Sequence, residues 1–239
     1  MKYLSVILIT SLAISSCNII DSERVKGNGN ITSKTYDLKN FSNLDMGSSM
    51  EVHITQSDNY SVKIETDENL FNYLYVRVND GNTLEVDVKD NINLDASGEV
   101  KVYIAAPSLD KVDLSGAAQL QTEGKFVQEK KIEFDLSGAS SGNISVRAPQ
   151  VDLEASGAST LTVEGECKDV KASASGASTI NSFDLKSENA EVEASGASTV
   201  RVFSSLKLNA RSHGASSVKY RGNPQVTQDV SGASSVEKN

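Results

Sequence analysis

Apolar and polar residues alternate with period two along most of the chain. In Val112-Asp113-Leu114-Ser115, Phe134-Asp135-Leu136-Ser137, Leu153-Glu154-Ala155-Ser156 and Val192-Glu193-Ala194-Ser195, every second position is apolar. That is the pattern of a strand with one buried face. Each segment runs into Ser-Gly-Ala or a close variant. Four places beyond the glycine an apolar residue returns, at Leu120, Leu161, Ile180, Val200, Val218 and Val236. The unit is therefore at least two short strands joined at a glycine corner. Helices do not fit, because Ser, Gly, Thr, Asn and β-branched residues dominate and no apolar stripe of period 3.6 is sustained.

The corner glycines fall at Gly116, Gly138, Gly157, Gly176, Gly196, Gly214 and Gly232, at intervals of 22, 19, 19, 20, 18 and 18. A period near 20 signals a solenoid, and the Leu/Asn signature of leucine-rich repeats is missing. The sequence predicts an all-β fold, a parallel β-helix with one coil of about 19 residues per repeat. Coils stacked about 4.8 Å apart align equivalent residues into columns, and seven corners make a rod on the order of 30 Å long. The glycine column is expected at positive φ, with the alanine after it in a corner too tight for more than a methyl. The serines around the corner, such as Ser156 with Ser159, are expected to bond to turn backbone or to neighbouring coils. No His or Lys base recurs beside them and GxSxG is absent, so they are not read as nucleophiles.

The N-terminal half is less regular but still β. Leu44-Asp45-Met46-Gly47-Ser48-Ser49 echoes Val112-Asp113-Leu114-Ser115-Gly116-Ala117, which starts the stack in degenerate form near residue 30. Asn79-Asp80-Gly81-Asn82 predicts a hairpin turn between two alternating segments. Residues 31–107 are taken as a β-rich N-terminal part and 108–239 as the regular coils, in one continuous unit with a soft boundary near Pro107.

Composition narrows the function. The 239 residues carry 23 Lys plus Arg against 32 Asp plus Glu, a formal charge of −9. An acidic chain without a basic stripe lacks the footprint of a nucleic-acid binder. Two cysteines and two distant histidines (His53, His213) offer no zinc constellation. At the N-terminus, Met1-Lys2 precedes an apolar run from Leu4 to Ile14 and then Ser15-Ser16-Cys17. This is the layout of an export signal, too short to span a bilayer, and its end resembles a bacterial lipobox. The expectation is a lipoprotein signal peptide over 1–16, lipidation of Cys17 and a flexible tether over 17–30, with the membrane as partner through the lipid. Cys167 is left as the free thiol, read as a small buried hydrophobe.

Two places before the corner serine lies an outward column, Asp113, Asp135, Glu154, Ser173, Glu193, Arg211 and Asp229. Like charges about 4.8 Å apart repel by roughly 1 kcal/mol even in water, so the stack has a cost unless a cation or polar ligand binds. Asp113, Asp135, Glu154 and Glu193 are thus the candidate cation- or glycan-binding residues, with Ca²⁺ the cation such oxygens suit. The plainer reading is a solvated face. No catalytic residue is assigned, and His213 is read as an outward substitution in the serine slot.

Taken together, the lipobox-like N-terminus, the Leu44–Ile54 stretch, the Ser-Gly-Ala-Ser corners and the close Tyr220-Arg221-Gly222-Asn223-Pro224-Gln225-Val226 followed by Ser231-Gly232-Ala233-Ser234-Ser235-Val236 resemble the putative auto-transporter adhesin, head GIN domain family of Bacteroidetes exported proteins. The resemblance covers roughly residues 35–238 and implies a right-handed parallel β-helix. It carries over no binding residues. The leading functional expectation is a non-enzymatic envelope lipoprotein, periplasmic or on the cell surface, presenting a rigid rod for adhesion or for binding a glycan or envelope protein. One alternative is a polysaccharide-active enzyme of pectate-lyase type, which needs acidic residues in a cleft with a basic residue or Ca²⁺. Another is a structural self-assembly unit using exposed coil edges.

Overall fold

The structure, a computed structural model, describes residues 22–239. The signal peptide expected over 1–16, the lipidation site Cys17 and the start of the tether lie outside the described residues.

The chain winds into a parallel β-solenoid of about seven turns with a less regular N-terminal half. Two long strand layers form its main sides. The first stacks Thr83–Val88, Asn43–Met46, Lys111–Leu114, Ile132–Leu136, then residues 151–155 and 170–174, and finally Asn189–Ala194, Lys207–Gly214 and Gln225–Gly232, all parallel and in register. The second stacks Val100–Ala106, Met50–Gln56, Gln119–Thr122, residues 141–144 and 160–162, Thr179–Lys186, Thr199–Phe203, Ser217–Arg221 and Ser235–Lys238. A short third side aligns Phe126 with Val146, Gly165 and Leu185.

Period-two alternation places one side chain in and one out along each strand, and the inward set forms a continuous core from Phe41 to Val218. The inward column of the first layer runs Val112, Phe134, Leu153, Ala172, Val192, Ala210, all buried. Gly142 faces inward where an added Cβ would sit 3.1 Å from Leu161 and 3.2 Å from Leu136, so its missing side chain makes room for two leucines.

The corners show what the repeat encodes. Each alanine amide donates to the carbonyl of the preceding coil's corner residue, as in Ala139 to Gly116 at 2.7 Å and Ala158 to Gly138 at 2.8 Å. The glycines adopt φ near +70°. The ladder starts on Ser48, whose φ is +63°, with Ala117 donating to its carbonyl at 3.0 Å. The degenerate coil read from the Leu44–Ser49 echo is thus present, but the parallel stack is entered at Asn43 rather than near residue 30, because Ile31–Tyr36 pairs antiparallel with residues 62–67 instead. A residue with a Cβ is accommodated there because Asp87, rather than another corner, lies beneath, and Ser48 Oγ donates to it at 2.6 Å.

The serines after the corner form a buried ladder. Ser159 Oγ donates to the Ser156 carbonyl at 2.8 Å and to the Leu136 carbonyl of the coil below at 3.1 Å. Ser178 repeats this with Ser175 and Ala155, and Ser216 with His213 and Ala194.

The N-terminal end is closed by antiparallel strands. Leu74–Val78 pairs with Thr83–Val88 across the predicted hairpin turn, and Ser61–Asp67 pairs with both Val100–Ala106 and Ile31–Tyr36. These pairings cover edges that a bare first coil would expose. The tether expected over 17–30 needs correction: Glu23–Lys26 forms a parallel strand pair with Ile92–Asp95, and Gly29 donates its amide to buried Asp67 at 2.7 Å. Those bonds fix residues 23–30 to the folded body.

Candidate binding faces

Asp113, Asp135 and Glu154 lie on consecutive coils in strict register, and the column continues through Asp45 to Glu85. Ser173 separates Glu154 from Glu193. The structure therefore gathers three of the four sequence-predicted carboxylates and sets Glu193 apart. The cations come from three places: Lys111 in the neighbouring outward column two residues earlier, Lys131 just before the Ile132–Leu136 strand, and Arg211 in the column itself. Lys111 Nζ stands 3.1 Å from Glu133, 3.4 Å from Asp135 and 3.7 Å from Asp113. Lys131 bridges Glu133 at 3.2 Å and Asp152 at 2.9 Å, and Arg211 meets Glu193 at 2.6 Å.

This compensation is uneven. Burial, then the Asp135 charge, pushes the Asp113 carboxyl above its ordinary range, and burial with Asp135 and Glu133 does the same to Glu154. Burial also works to raise Glu133, but the hydrogen bonds from Lys111 and Lys131 outweigh it and hold that carboxyl low. The acids and the corner serines Ser137, Ser156 and Ser175 border a surface concavity of about 370 Å³. Among the described residues, no group of three or more His, Cys, Asp or Glu side chains is arranged to hold a metal ion.

The second layer presents a different face, which the sequence reading passed over. Four consecutive coils place the outward pairs Gln119/Gln121, Ser141/Asn143, Thr160/Thr162 and Thr179/Asn181 in register, with no charged side chain in either column. Between the members of each pair the inward residue is Leu120, Gly142, Leu161 or Ile180. Among the described residues, only Gln121 of these eight side chains is hydrogen-bonded within the protein, to Glu123 at 3.1 Å.

Charged groups bound this neutral stretch at both ends. Toward the N-terminus, His53 Nδ1 is 2.8 Å from Glu123 and Nε2 is 2.9 Å from Glu51, which Lys101 approaches at 3.0 Å. The His53 ring stacks on Tyr103 at 4.9 Å, and Lys63 covers Tyr103 at 4.3 Å. Toward the C-terminus, Arg201 and Lys219 continue the Asn181 column. The signal was in the sequence: a Thr or Ser stands before, and a Thr or Asn after, the apolar residue that follows several of the corners.

Cys167 is half-buried and unpaired in a disulfide. Burial, with help from Asp169, pushes its thiol up to about 12, so it is not a thiolate near neutrality. His213 Nδ1 lies 2.7 Å from Ser231 Oγ on the exposed corner surface.

Fold and faces together define a parallel β-solenoid with a packed interior, hydrogen-bonded corners and two long outward faces. The chain belongs to the putative auto-transporter adhesin, head GIN domain family, whose model matches residues 40–224. Its fold is similar to the crystal structure of a putative adhesin from Bacteroides fragilis, with a TM-score of 0.85 at 19% identity, covering 90% of this chain and 100% of that one. A putative lipid binding protein from Parabacteroides distasonis has a TM-score of 0.72 at 20% identity, covering 91% and 100%. A putative adhesin from the same species has a TM-score of 0.70 at 21% identity, with the same coverage. No curated protein matches the chain.

Proposed function

We propose that this protein is a non-enzymatic envelope lipoprotein, exported and anchored through Cys17, whose solenoid is a rigid binding scaffold for adhesion or for a glycan or other envelope component. The observation that carries this reading is the division of polar groups. The serines after the corner are spent on backbone carbonyls and part of the acidic column is paired, Asp113 and Asp135 with Lys111 and Glu193 with Arg211, whereas the four neutral rows keep their hydrogen-bonding groups turned outward. Membership of an adhesin head family and the export-type N-terminus support the same reading.

The test is to express the full chain and its Cys17→Ala variant in a Bacteroidetes host, label with a radioactive fatty acid and fractionate. The wild-type chain is expected to carry label and sediment with the envelope, and the variant to lose both. Intact cells making the wild-type chain should adhere to immobilised glycans or envelope extracts better than cells lacking it. An unlabelled, cytoplasmic wild-type chain, or equal adherence of both strains, overturns the proposal.

A further inference from the structure

We propose that the four neutral rows between Gln119 and Asn181 form the binding site for an extended, uncharged polysaccharide. The inference rests on the reading of the chain as a binding scaffold and names the chemistry that its second layer recognises.

The rows form a lattice of fixed spacing. Along the solenoid axis equivalent side chains repeat at about 4.8 Å, and within a row the two members are about 7 Å apart. Their Cα positions are held by uninterrupted parallel pairing over 141–144, 160–162 and 179–181. Beneath them Leu161 and Ile180 are fully buried. A backbone held in this way loses little further freedom on binding, which matters for a ligand that gains only weak contacts at each position.

Chemistry selects among ligand classes. Ser and Thr hydroxyls and Asn and Gln amides each donate and accept, and the hydroxyls of a sugar do both as well. A neutral polysaccharide repeats those hydroxyls along one axis, as the rows repeat their partners. A protein partner would be met at its core by apolar and aromatic side chains, and a lipid surface by an apolar patch. Neither column holds one between Gln119 and Asn181. A polyanion would need cations in the rows, and the first are Arg201 and Lys219, beyond the neutral stretch. The outward groups are also unspent: among the described residues exposed Thr160 and half-buried Thr162, Thr179 and Asn181 bond to nothing within the protein through their side chains, unlike the buried serines one corner away. With one wet hydrogen bond per sugar, affinity is built from several rows together.

The experiment uses the full chain in detergent micelles and affinity electrophoresis through gels containing hydroxyethyl cellulose, dextran, mannan or polygalacturonate. One variant, Thr160→Val with Thr162→Val, Thr179→Val and Asn181→Leu, removes the hydrogen-bonding groups while keeping strand-compatible shapes. A second, Thr160→Ser with Thr162→Ser and Thr179→Ser, keeps the hydroxyls. A third, Asp113→Asn with Asp135→Asn and Glu154→Gln, empties the acidic column of charge. Circular dichroism checks the fold of each.

The wild-type chain is expected to be retarded by at least one neutral polysaccharide. The valine variant should bind at least about tenfold more weakly, and the serine and acidic-column variants within about threefold of wild type. If the folded valine variant binds as tightly as wild type, or the serine variant loses binding as fully as the valine one, the site is wrong. Binding lost only in the acidic-column variant also overturns the site, while the scaffold reading stands. Retardation by polygalacturonate alone overturns the neutral-ligand assignment. No retardation in any gel overturns the inference, and the scaffold reading falls with it only if cells displaying the chain also fail to adhere.

Discussion

Gly157 sits over Gly138 so closely that the Ala158 amide donates to the Gly138 carbonyl at 2.8 Å, while a Cβ on Gly157 would lie 2.6 Å from that same oxygen. The corner thus needs glycine twice, for its φ of +69° and for the approach of the coil below. Left-handed backbone alone costs a residue with a Cβ about 1–2 kcal/mol. Gly124 separates the two effects, since its φ is +86° but nothing lies within 4 Å of an added Cβ. Gly157→Ala is expected to lower the thermal midpoint by at least about 4 °C and Gly124→Ala by clearly less. Equal losses in calorimetry would remove the close approach as a cause.

The buried serine ladder has a gap at its first member. Ala118 occupies the slot that Ser140, Ser159 and Ser178 fill on later coils. By register, a hydroxyl there faces the carbonyls of Ser115 and Met46, the equivalents of Ser156 and Leu136 for Ser159. Ala118→Ser should stabilise by about 0.5–1 kcal/mol, and Ser159→Ala should destabilise by about 1 kcal/mol. Urea unfolding with an unchanged m-value checks both, and a destabilised Ala118→Ser chain would show that the slot is too tight for the hydroxyl.

Asp67 ties the N-terminal segment to the body. It is fully buried and accepts from the Gly29 amide at 2.7 Å, from the Ser97 amide at 2.9 Å and from the Ser97 hydroxyl. The Ser97 hydrogen bonds, with Gly29 in support, overcome burial and hold the carboxyl below the usual range. A depressed carboxyl stabilises the fold fully above its unfolded value of about 3.9 and loses that contribution as pH falls through the folded value. Asp67→Asn is expected to cost about 1–3 kcal/mol at pH 7 and to reduce the loss of stability on acidification below about pH 4. An unchanged acid profile in chemical denaturation would contradict the assignment.

The acidic column runs the other way. Asp113 and Glu154 are raised, so their ionised forms oppose folding, and stability is recovered as pH falls through their folded values. Asp113→Asn or Glu154→Gln should stabilise the chain at pH 7 by a few tenths of a kcal/mol, because both sites remain partly solvated. The gain should shrink as salt is added. Thermal melts in 20 mM and 500 mM NaCl test this, and a loss of stability at low salt would mean that the carboxylates make contacts the column does not reveal.

The regular coils were legible because one rule repeats: alternation fixes which side chains go inward, and the glycine interval fixes the register, so Asp113, Asp135 and Glu154 align as counted. The pairing of Asp113 and Asp135 with Lys111 was harder to see, since that lysine acts on the coil above as well as on its own. Glu23–Lys26 carries a single apolar residue, Val25, and no alternation, so its pairing with Ile92–Asp95 left no trace in the pattern. The neutral rows went unread for a different reason. Thr and Ser at outward strand positions satisfy β-propensity and solvation equally well, and only the register reveals that four coils in succession carry no charge there.

The most direct test of the account is to incubate the full chain with neutral and anionic polysaccharides, with calcium or with chelator, and to follow bound polysaccharide alongside new reducing ends and unsaturated products. Retention without product, unaffected by chelator, is the predicted result. Product that requires calcium and disappears in an Asp113→Ala, Asp135→Ala, Glu154→Ala triple variant would contradict it and make the acidic column a catalytic site.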